Sequence, residues 1–142
     1  MRYSSLIFVF LSLSWNWAIA QGQQEPLAGT FGSVHDPDTS CAVNPHQITL
    51  MSSPPHAFLT WSLPVELADG SRSAEAVFDI VASDLSSLTL RREDQRELTE
   101  TGEPLYRILR LTPRGYCWGR ADWPSVRCED EQERCNAVAP SS

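Results

Sequence analysis

The chain has no lysine: all 11 of its basic side chains are arginines. Schiff-base chemistry and lysine general bases are therefore excluded. Histidine is sparse, with only His35, His46 and His56. Together with Asp36 and Asp38 these are the candidate metal ligands, but their spacing matches no helical or hairpin pattern that converges them. Residues 35–39 read more simply as a solvated turn, its Asp side chains bonding nearby backbone amides. A Gly-x-Ser-x-Gly nucleophile elbow is missing, as is any Cys-x-x-Cys pair, so neither a serine hydrolase nor a zinc site is signalled and no metal or other cofactor is expected. Membrane-spanning helices need roughly 20 consecutive apolar residues, and the chain carries none.

What is present begins with residues 1–20, which have the layout of a secretory signal: Arg2 in the n-region, an apolar stretch over residues 6–13, and Ala18 and Ala20 flanking a cut before Gln21. Removing it leaves ten arginines against 18 acids, a charge of −8. That balance disfavours nucleic acid and anionic membranes, both of which need a clustered positive patch. Arginine used without lysine points to a GC-rich bacterial genome, and so to the periplasm or the medium as destination.

All four cysteines, Cys41, Cys117, Cys128 and Cys135, follow the signal. An even number in an exported domain predicts two disulfides, with no free thiol left for catalysis. Sequence allows three connectivities. The expected one joins Cys117 to Cys128 and Cys41 to Cys135; the next joins Cys41 to Cys117 and Cys128 to Cys135.

The remaining chain suits one domain over residues 27–135, preceded by a loose leader at 21–26 and followed by a small tail at 136–142. Short apolar runs recur between turn residues. Strands are expected at 27–34, 47–51, 56–63, 74–82, 88–92, 105–112 and 116–123, the third and fourth with clear period-two alternation: Leu59, Trp61 and Leu63 in one, Ala76, Phe78, Ile80 and Ala82 in the other. Asn44-Pro45, Pro54-Pro55 and Asp69-Gly70 punctuate them. Residues 86–100 and 105–112 retain a helical alternative. The fold class is mainly β, an antiparallel meander closed as a small barrel or folded as a sandwich and stapled by two disulfides.

The opening Leu27-Ala28-Gly29-Thr30-Phe31 resembles the Gly-x-Trp start of lipocalins and related calycin-like barrels, with Phe31 in the tryptophan position. Size, export signal and the early Cys41 are similar to bacterial protease inhibitors of the calycin-like type. That resemblance implies an exported barrel that inserts its N-terminal leader into a protease cleft.

The densest local feature is residues 116–124, where Trp118, Arg120, Asp122 and Trp123 form a candidate partner-binding loop, since Trp and Arg often anchor interfaces. The alternative for the same segment is that Trp118 or Tyr116 packs in the core over a disulfide while Arg120 and Asp122 form a surface pair. Glu129, Asp130, Glu131 and Glu133 read as a solvated loop, or as an acidic face for a basic partner. The functional expectation is an exported, non-catalytic binding protein that recognises a protein partner, as an inhibitor or immunity protein does. The second expectation is a carrier enclosing a small apolar ligand among Phe58, Trp61, Phe78 and Leu109. The third is a small hydrolase with two facing carboxylates.

Overall fold

A computed structural model describes residues 25–94 and 97–136. The expected signal and most of the expected leader and tail lie outside the described residues. Eight antiparallel strands follow one another in chain order: β1 (Gly29–Ser33), β2 (His46–Ser52), β3 (Pro55–Glu66), β4 (Arg72–Ser83), β5 (Ser87–Arg92), β6 (Arg107–Leu111), β7 (Gly115–Arg120) and β8 (Glu129–Arg134). Each strand pairs with its neighbours, and β8 pairs back onto β1, so the sheet closes. Of the two architectures left open by the sequence, the chain adopts the barrel. An eight-stranded up-and-down barrel is compatible with the calycin-like expectation. Among the described residues no helix is long and apolar enough to cross a membrane.

The alternation in β3 and β4 decides what faces inward. Ala57, Leu59, Ala76 and Phe78 are buried, and the register places Leu59 opposite Ala76 and Ala57 opposite Phe78. Phe31, Ile48, Leu88, Leu90, Leu109 and Tyr116 are almost fully buried and complete the core. Burying each such side chain contributes roughly 1.5–3 kcal/mol. Phe58 lies on the opposite face of β3, beside His56 with ring centroids 6.1 Å apart, so it does not belong to the interior expected of a carrier. Among the described residues of 86–100 there is no helix: β5 runs to Arg92, and Leu98 forms an isolated bridge with Pro104.

The two ends of the barrel differ. One end, the base, carries the tight connections β2–β3, β4–β5 and β6–β7. There a single 3-10 turn, Glu25–Leu27, inserts Leu27 into the core. Residues 27 and 28 thus precede the first strand rather than opening it. Arg134 lies across this end, its guanidinium 4.7 Å from the Phe31 ring centroid and donating to the carbonyls of Pro26 and Ala28. Gly29, at φ +130, is needed here, because any side chain would meet the Arg134 guanidinium. The other end, the mouth, is framed by the longer connections 34–45, 67–71, 93–106 and 121–128.

Both disulfides have the expected pairing, with Cα separations of 5.5 Å for Cys41–Cys135 and 5.4 Å for Cys117–Cys128. The first is possible because connection 34–45 folds back down the outside of β1. Gly32 lacks a side chain that would collide with the backbone of Ser40 and Cys41, so the loop lies flat against the strand and Cys41 reaches Cys135.

The acidic run is not a loop. Glu129–Arg134 is β8, with Gln132 its only buried residue. The strand exists because β1 and β7 both offer it unpaired backbone groups, and that demand for hydrogen bonds outweighs the poor strand propensity of its acids.

Candidate functional site

Eight strands leave an interior just wide enough to be filled by side chains or to hold one small ligand. Here both occur. The base half is filled, and the mouth half encloses a cavity of about 280 Å³ whose wall includes Leu59, Trp61, Ala76, Phe78, Tyr116 and Trp118. An interlocking series of rings runs around it. Trp61 lies 5.4 Å from His46, His46 5.8 Å from Tyr116, Tyr116 5.6 Å from Trp118 and Trp118 6.0 Å from Phe78, centroid to centroid.

The floor of the cavity is polar. His46 and Tyr116 are both buried, and His46 Nε2 lies 2.5 Å from the Tyr116 hydroxyl oxygen. The Trp118 ring meets that of Tyr116 edge-on. With the imidazole proton on Nδ1, the bare His46 Nε2 accepts from the Tyr116 hydroxyl. Burial lowers the His46 pKa to about 4, which keeps the ring neutral, and raises that of Tyr116 far above the usual phenol range. Gln132, also buried, donates its amide N–H to the carbonyl of Asp130; its amide oxygen has no donor among the described residues.

Charged groups ring the mouth. Arg107 makes a two-pronged contact with Glu97, Nε to Oε2 at 2.9 Å and Nη2 to Oε1 at 3.0 Å. Arg92 reaches Asp94 at 3.0 Å and Asp69 at 3.8 Å. Asp36, Glu66 and Asp130 also line the opening. Asp36 accepts from Asp38 N and Thr39 Oγ1 as the cap of the short turn Pro37–Thr39, the local bonding expected of that segment. Asp130 sits where the β7–β8 register shifts and has φ +50. At this bulge the exposed Asp130 lines the edge of the cavity, near enough for its charge to add to the rise of the Tyr116 pKa that burial causes.

A comparison of the chain with protein-family models, with curated proteins and with solved structures finds no match.

The residues singled out in the 116–124 segment separate into two groups. Trp118 points inward and lines the cavity. Arg120, Asp122 and Trp123 gather at the rim instead. Arg120 donates twice to Asp122, at 2.9 and 2.7 Å, which lowers the Asp122 pKa, and Trp123 packs under Arg127 at 4.3 Å and near Arg120 at 6.0 Å. The candidate metal ligands are dispersed. His35 and Asp36 sit on connection 34–45, His46 lies inside, and His56 pairs with Asp79 at 3.0 Å near the base. Of the four residues named for a carrier interior, Trp61 and Phe78 line the cavity while Leu109 lies in the filled core. Sequence reasoning missed Tyr116, Gln132 and Asp130 as cavity residues. The one usable signal was the period-two phase of Tyr116, Trp118 and Arg120.

Proposed function

We propose that this chain is an exported binding protein whose ligand is a small molecule held in the mouth half of the barrel. The observation that carries the reading is the cavity of about 280 Å³ walled by Trp61, Phe78 and Trp118 beneath an open rim. Small-molecule sites are concave, with aromatic and apolar walls and a few polar groups, and this open pocket supports the reading on that ground. Two disulfides support the export it shares with its first expectation. The carrier reading thus moves ahead of the protein-partner reading, because Trp118 is turned into the barrel and the rim group Arg120, Asp122 and Trp123 is already satisfied by its own ion pair and ring contacts.

Titration of the oxidised protein with an environment-sensitive apolar dye tests this, read by dye emission and by quenching of Trp61 and Trp118. One saturable site is expected. Ala76→Leu, which grows a buried wall residue into the void, should abolish it while leaving thermal stability near that of the parent. Equal dye binding by Ala76→Leu would place the dye elsewhere and reject the cavity. A protein partner retained from envelope extract by both forms would restore recognition through the outer face.

A further inference from the structure

Resting on that reading, a census of the rim charges narrows the ligand. The two arginines at the opening are both engaged, Arg107 by Glu97 and Arg92 by Asp94 and Asp69. Three carboxylates at the same opening, Asp36, Glu66 and Asp130, have no cationic partner among the described residues. Below them the cavity is lined by Gln132, a residue more than nine-tenths buried whose amide oxygen has no donor among the described residues. It also offers the faces of Trp61 and Trp118. Acceptors, uncompensated negative charge and indole faces within one cavity are what an ammonium group seeks, through N–H donation, Coulomb attraction and cation–π contact.

We propose that the cavity takes an organic cation, an ammonium group on an aromatic or apolar body, with the cationic end at Asp130 and Gln132 and the body among Trp61, Phe78 and Trp118. The position of Asp130 fits this role. A left-handed backbone at a bulge is tolerated by Asp better than by most residues, and here it delivers a carboxylate to the edge of an aromatic pocket. A carboxylate ligand would have to displace Glu97 or Asp94 from its arginine and then face the three remaining acids. The overall charge of −7 adds attraction for a cation at long range.

Three probes with one phenyl body separate the possibilities: 2-phenylethylamine, 3-phenylpropanol and 3-phenylpropionate, titrated calorimetrically into the oxidised protein at low and at raised salt. The amine should bind tightest, the carboxylate weakest, and the amine advantage should shrink with salt. Asp130→Asn keeps the size and tolerates the same backbone, and should weaken the amine roughly five- to tenfold while leaving the alcohol unchanged. Carboxylate binding equal to or above amine binding would overturn the proposal, as would an amine affinity unmoved by Asp130→Asn. So would dye binding at the cavity with no probe bound, and in each of these cases the cavity reading survives. If neither the dye nor any probe enters, the cavity reading falls with it.

Discussion

Acid should loosen this barrel through one residue, His46. Its imidazole is neutral, buried and bonded to Tyr116, with a pKa lowered to about 4 by desolvation, whereas in the unfolded chain it returns to the ordinary value of 6.5. Between those two values the unfolded state binds more protons than the folded one, so stability falls as the pH drops from about 6.5 toward 4 and stops changing on this account below that. The gap corresponds to about 3 kcal/mol in all, of which about 2 kcal/mol is lost between about pH 7 and pH 5. Asp and Glu titrate mostly below this window, but a control is still needed. His46→Gln supplies one, because the glutamine oxygen can accept from the Tyr116 hydroxyl and does not titrate. Urea unfolding of both proteins at about pH 7 and pH 5 should show the parent losing about 2 kcal/mol more than the variant. An equal loss in both would mean that His46 is protonated in the folded barrel, and the argument from its burial would be refuted.

Replacing both cysteines of each pair by serine should destabilise the fold unequally, because the loops closed span 94 and 11 residues. Chain entropy gives about 4.7 kcal/mol for Cys41–Cys135 and about 2.8 kcal/mol for Cys117–Cys128. Denaturant midpoints of the two variants would rank them, and the opposite order would refute the entropic account. Arg134→Ala removes two charge-assisted bonds to the Pro26 and Ala28 carbonyls and the contact over Phe31, and should lower stability by about 1–3 kcal/mol. Hydrogen exchange should localise that loss to the turn Glu25–Leu27 and to β1.

Much of the barrel was legible where one face of a strand is buried and the other is not. Leu59 and Trp61 in β3, and Ala76 and Phe78 in β4, alternate because the pleat sends them inward, and both strands were found from that pattern alone. Strand β8 was illegible for the converse reason. Glu129, Asp130, Glu131 and Glu133 carry no apolar signal, since the strand is stabilised by backbone bonds to β7, its neighbour in the chain, and to β1, at the opposite end of the domain. The 27–34 segment was overread because Leu27, although buried, reaches the core from a turn. At the site, Trp118 drew notice for its type, but its role depended on which way β7 faces. Asp130 was hidden because its orientation comes from a bulge, a feature created by the register of two strands rather than by either one.

The strand that contributes least to the core is also the one bracketed most tightly. Cys128 stands immediately before β8 and Cys135 immediately after it, each bonded to a different part of the molecule. Reduction would therefore strike first at this seam. With both staples gone, β8 is held by its ladder bonds and by the side-chain contacts of Arg134 and Glu133; its departure would unzip the cylinder between β1 and β7, opening the pocket and baring two sheet edges. On the proposed reading, a ligand would then be held only where thiols are kept oxidised.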